Sequence, residues 1–132
     1  AKGLKNGAYI LSDAAVHPDL ILIASGSEVH LALAAQEALA AESTATRVVS
    51  MPSWELFEKM PTSYKERVLP HEVKRRIAVE AGHPIGWERY VGSEGKVIGI
   101  SAFGTSAPGA AVMEKFGMSA DNIVQEAKQL MT

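Results

Sequence analysis

The run Leu20-Ile21-Leu22-Ile23-Ala24 limits the folds open to this chain more than any other feature. Five consecutive apolar residues of strand length leave no polar face, so a strand built from them must be covered on both sides, as in a parallel sheet between helices. The turn signal His17-Pro18-Asp19 precedes it, and Ser25-Gly26-Ser27-Glu28 follows. From Val29 to Ala41, the residues Val29, Ala32, Leu33, Ala35 and Leu39 fall on one helical stripe, and further alanines add helix propensity. The spacing of Ser25 and Glu28 suits a capping box at the start of that helix.

The same grammar repeats along the chain. Ala8 to Leu11 predicts a first strand, suited to a sheet edge, and Arg47 to Ser50 a β-branched one. Met51-Pro52 then leads to Ser53 as the cap of a short helix through Trp54 and Phe57, closed by Pro61. Ser63 and Glu66 have capping-box spacing for another helix, which must stop before Pro70. Arg76 to Glu80 and Lys96 to Ile100 predict two more strands, separated by the loop residues Gly82, Pro84 and Gly86 and an aromatic segment with Trp87 and Tyr90. Two helices close the chain, one from Pro108 to Gly117 and one from Ser119 that buries Ile123, Val124, Ala127, Leu130 and Met131. Five strands alternating with helices imply a mostly parallel sheet between two helical layers, in one domain over residues 1–132.

Composition narrows the function. Thirteen basic and fifteen acidic side chains give a net charge of −2, and the one basic run, Lys74-Arg75-Arg76, reads as a solvated lead-in to a strand; no nucleic-acid partner is expected. With no cysteine, thiolate metal sites and cysteine nucleophiles are excluded. No apolar run approaches the ~20 residues of a membrane-spanning helix, so no membrane partner is expected, and the expected localisation is cytoplasmic. The start at Ala1 without methionine fits a piece of a longer chain.

Candidate chemistry is sparse. Gly26, Ser27 and Glu28 stand where doubly wound folds bind anions at a helix N-terminus, but a dinucleotide fingerprint needs further glycines; structural capping and an anion site are both open readings. Gly104 to Gly109 has the glycine spacing of a phosphate loop, yet Ala110 and Ala111 replace its lysine and hydroxyl. His17, His30, His71 and His83 are too far apart for a local metal motif, and no Gly-x-Ser-x-Gly elbow is present. Trp87, Tyr90, Phe103 and Met113 suggest an apolar surface left open for a neighbouring domain.

Several segments in order carry a resemblance. They are Ala24-Ser25-Gly26-Ser27-Glu28-Val29, Arg47-Val48-Val49-Ser50-Met51-Pro52, Tyr64 with Glu66-Arg67-Val68-Leu69-Pro70, and Val79-Glu80-Ala81-Gly82. Trp87 with Tyr90-Val91-Gly92, Phe103-Gly104 with Ser106-Ala107-Pro108, Phe116-Gly117 and Asp121-Asn122-Ile123-Val124 complete the series. Together they resemble the transketolase C-terminal domain along nearly the whole chain. The resemblance implies a three-layer α/β/α sandwich with a five-stranded mixed sheet, one strand antiparallel. It also implies a parent chain of three domains that transfers a two-carbon ketol unit between ketose and aldose phosphates, with thiamine diphosphate and Mg2+. Those groups bind between the other domains and across a dimer. This domain is therefore expected to hold no cofactor, no metal and no catalytic residue, to be inactive alone, and to have the remaining domains and the dimer mate as partners. Glu28 and Glu80 do not correspond to the glutamate that activates the thiamine ring. The alternatives are the equivalent domain of a deoxyxylulose-phosphate synthase or a 2-oxo acid dehydrogenase β-subunit, and a free-standing anion-binding module.

Overall fold

The computed structural model describes residues 6–80, 86–99 and 119–131, with Ser27 described by its backbone alone. The strands are β1 (Tyr9–Ser12), β2 (Leu20–Ala24), β3 (Thr46–Ser50), β4 (Arg76–Glu80) and β5 (Lys96–Gly99). The described helices are α1 (Val29–Ala41), α2 (Trp54–Glu58), α3 (Thr62–Val68), α4 (Glu88–Val91) and α5 (Ala120–Met131). Sheet order is β1-β3-β2-β4-β5, with β1 antiparallel to β3 and every other pairing parallel. This is the mixed five-stranded sandwich expected above.

β2 occupies the centre, and all five of its residues are buried, which is why it needs apolar side chains on both faces. Alternation splits them between two cores. Leu20, Leu22 and Ala24 pack with Ile77, Val79 and the buried stripes of α1 (Ala32, Ala35, Leu39) and α5 (Ile123, Val124, Ala127). Ile21 and Ile23 pack with Val49, Ala78 and the opposite helical layer, which supplies Phe57 of α2, Val68 of α3 and Tyr90 of α4. Each fully buried Leu or Ile contributes roughly 1.5–3 kcal/mol of transfer free energy.

Several local expectations are corrected. β1 starts at Tyr9 because the Ala8 carbonyl accepts the Tyr64 hydroxyl at 2.8 Å instead of joining the ladder. Ser53 does cap α2, accepting from the Leu56 amide at 3.2 Å, and the Ser119 hydroxyl accepts from the Asn122 amide at 3.1 Å before α5. Ser63, by contrast, lies inside α3. That helix starts from Pro61, whose carbonyl accepts from the Tyr64 and Lys65 amides, while Glu66 turns forward to the His71 backbone amide. Trp87 and Tyr90 are core residues at 2% and 4% exposure, stacked edge-on with Trp54, so they leave no open apolar surface. Phe103, Met113, His83, the Gly104–Gly109 stretch and the helix expected from Pro108 lie outside the described residues.

Arg76 also departs from its expected solvated role. Lys74 and Arg75 are exposed, but Arg76 is half-buried and donates to the carbonyls of Val73, Leu69, Pro70 and Tyr90 at 2.6–3.2 Å. Desolvation lowers its pKa.

Candidate functional site

Strand order locates the place where a sheet of this kind can hold a ligand. From β2 the chain crosses one face through α1 to β3, then returns over the other face through α2 and α3 to β4 on the far side of β2. The connections therefore diverge between the carboxyl ends of β2 and β4, the usual ligand crevice of doubly wound sheets. Gly26, Ser27 and Glu28 leave β2 at this point as a single 3-10 turn.

Gly26 opens the turn with φ +60°, a left-handed conformation that favours glycine. The Glu28 amide bonds back to the Ser25 carbonyl, and the Val29 amide to that of Gly26. The Ser25 side chain does not cap the helix. It spans the crevice and donates to Glu80 Oε1 at the end of β4, at 2.9 Å. The capping box fails because the 3-10 turn separates Ser25 from α1, whose own N-cap position is Glu28 in helical backbone without a side-chain cap bond. Glu28 is 5% exposed, so a carboxylate sits at the helix start from within the chain.

The other titratable groups serve the scaffold. Asp13 takes two bonds from Arg47, at 2.8 and 3.2 Å, and this pairing lowers its pKa against the opposing effect of burial. The exposed Glu66 is lowered by hydrogen bonds from His71. Burial, then the hydrogen bond to Glu58, pushes the Tyr90 hydroxyl up to about 12. His17 faces Glu72 at 3.8 Å on the surface, and His30 is exposed. Among the described residues, no three His, Asp or Glu side chains gather to hold a cation. A cavity of about 600 Å3 lies at the opposite edge of the sheet, between α1 and the loop after β1. Its lining includes Val16, Leu33 and Gln36, and the Gln36 amide is fixed by Ser12 and the Thr46 carbonyl.

Residues 7–119 match the family described as the transketolase-like TK C-terminal domain. The chain belongs to that family. The transketolase of Geobacillus stearothermophilus is 50% identical over 131 residues, covering 98% of this chain and 20% of the relative. Transketolase 1 of Escherichia coli is 49% identical over 128 residues, covering 97% and 19%. The solved transketolase of Leishmania mexicana superposes with a TM-score of 0.87 at 40% identity, covering 98% of this chain and 18% of that one. The chain thus spans about one fifth of the length of the curated transketolases it matches.

Among the described residues, the donors at this crevice do not suit thiamine diphosphate and a metal. Thiamine diphosphate with its metal needs convergent oxygen ligands for the cation and donors for the diphosphate. At this crevice the described residues present carboxylates, one buried and one bonded to Ser25, to an anionic group.

Proposed function

We propose that this chain is the non-catalytic C-terminal domain of a three-domain transketolase, an enzyme that moves a two-carbon ketol unit between ketose and aldose phosphates in the pentose phosphate pathway. The parent works in the cytoplasm as a dimer, with thiamine diphosphate and Mg2+ held by its other domains. This domain packs against those domains and the dimer mate. The observation that carries the reading is the near-complete alignment of this chain with one fifth of proteins named transketolase. The bond from Ser25 to Glu80 across the crevice supports an architectural role. On this reading the Gly26-Ser27-Glu28 turn serves the fold. The carboxylates of Glu28 and Glu80 disfavour an incoming anion where a bare helix start would attract one.

A domain exchange tests the proposal. Replacing this domain in the full-length enzyme by that of the Geobacillus stearothermophilus relative should leave the order of preference among acceptor sugars unchanged. A switch of preference toward that of the donor of the domain contradicts an architectural role.

A further inference from the structure

The two ends of the parallel strands differ in charge. The connections leading into them carry exposed charges: Asp13 and Asp19 before β2, Glu42 before β3, Lys74 and Arg75 before β4, and Glu94 before β5. The described residues directly after β2 and β3 present no exposed charge, and past β4 the first exposed charges among the described residues are Glu88 and Arg89, inside α4. Ser25 to Ser27 follow β2, with Glu28 buried behind them, and Met51 to Ser53 follow β3; the first exposed carboxylate past β3 is Glu55, inside α2. Glu80, ending β4, is half-buried and accepts the Ser25 hydroxyl. In the sequence, residues 81–87 after β4 and 97–113 from within β5 onward also contain no Lys, Arg, Asp or Glu.

Connections that face water ordinarily carry charge, and depletion of charge marks the centre of a protein contact. We propose that the carboxyl edge of the sheet, from Ser25-Gly26 across Met51-Pro52-Ser53, is the surface that docks on the rest of the parent transketolase chain, while the charged amino edge faces water. This rests on the reading of the chain as one domain of that enzyme. Commitment to that occupant follows from length: about four-fifths of each curated relative lies outside the matched region. That remainder is tethered to this domain and meets it at high effective concentration. The neutral edge suits a neutral, hydrogen-bonding face on the neighbouring domain.

The test uses full-length enzyme carrying Pro52→Cys at the carboxyl edge or Val16→Cys at the amino edge. Both positions are exposed in the domain, Val16 at 69%, so slow thiol labelling in the intact enzyme reports cover by another part of the protein. Rates are normalised to the same variant in denaturant. The proposal expects Pro52→Cys to be slowed roughly tenfold or more relative to Val16→Cys. If Pro52→Cys labels as fast as Val16→Cys, the proposal is overturned. Protection of Val16→Cys alone moves docking to the other edge and leaves the domain assignment standing; equal exposure of both removes the docking role altogether. Protection that disappears on dilution assigns the edge to a second copy and also overturns the proposal. Hydroxyl-radical footprinting of the peptides containing Pro52 and Val16 in unsubstituted enzyme gives the same comparison if a variant misfolds.

Discussion

Arg47 and Arg76 flank Ile21 in one row of the sheet, and both guanidinium groups end on carbonyls at the close of α3. Arg47 donates to the Arg67 and Val68 carbonyls, and Arg76 to those of Leu69 and Pro70. A helix end leaves carbonyls without intrahelical partners. Here two side chains from neighbouring strands satisfy them and tie α3 to the sheet.

Arg76→Leu should therefore destabilise the domain by about 3 kcal/mol, because carbonyls that lose their donor pay the penalty of unmet hydrogen bonding. Arg76→Lys should recover only part, since an ammonium cannot reproduce the planar fork. Denaturant melts check both. A change below about 0.5 kcal/mol for Arg76→Leu would mean that water replaces the guanidinium.

Ser53→Ala should cost about 1 kcal/mol through loss of the α2 cap, whereas Ser63→Ala, inside α3, should change little. Both serines look like caps in sequence. The same melts separate them: equal effects would contradict the assignment.

The central strand was legible because its side chains have no polar face to place. Val29 to Ala41 was legible because a helix with one buried stripe repeats visibly. Capping signals were less reliable: Pro61 displaced Ser63, and the Ser25 hydroxyl found Glu80, a residue 55 positions away. Arg76 reads as part of a solvated basic run because its carbonyl partners come from two other segments, the connection after α3 and helix α4. Trp87 and Tyr90 misled for the same reason, since the Trp54 ring that shields them lies on another element. At the candidate site, position came through from the strand-turn-helix pattern, but side-chain partners did not.

Gly7→Ala should be far more damaging than Gly92→Ala. Both glycines have positive φ, but a Cβ at Gly7 would meet the Phe57 amide nitrogen at 2.2 Å and the Ser53 carbonyl oxygen at 2.3 Å, whereas at Gly92 nothing lies within 4 Å. Gly92→Ala should cost about 1–3 kcal/mol from backbone strain alone, because φ 75° with ψ −176° is a conformation essentially confined to glycine. Gly7→Ala must also move α2, and should lower the melting temperature much further in calorimetry.

Acid should weaken the fold through Asp13. Its folded pKa is lowered, first by the hydrogen bond from Arg47, so its contribution is complete above the unfolded value near 4 and fades as pH falls through the folded one. Arg47→Ala should flatten that limb of the stability profile. An unchanged slope would assign acid loss to other carboxylates.

At the alkaline end the sign reverses. The Tyr90 hydroxyl is pushed up to about 12, so its contribution is complete below the unfolded value near 10 and is lost as pH rises toward 12. Tyrosinate absorbance of wild type and Tyr90→Phe should show that the late-titrating group of the three tyrosines is Tyr90. If the late step survives in the variant, burial of Tyr90 is not its cause.

Cofactor binding bears on the central claim most directly. Thiamine diphosphate with Mg2+ should be titrated calorimetrically into the full-length enzyme and into the 132-residue chain under the same conditions. The account predicts a saturable isotherm for the full-length enzyme and only heats of dilution for the chain. Saturable binding to the chain itself would contradict it.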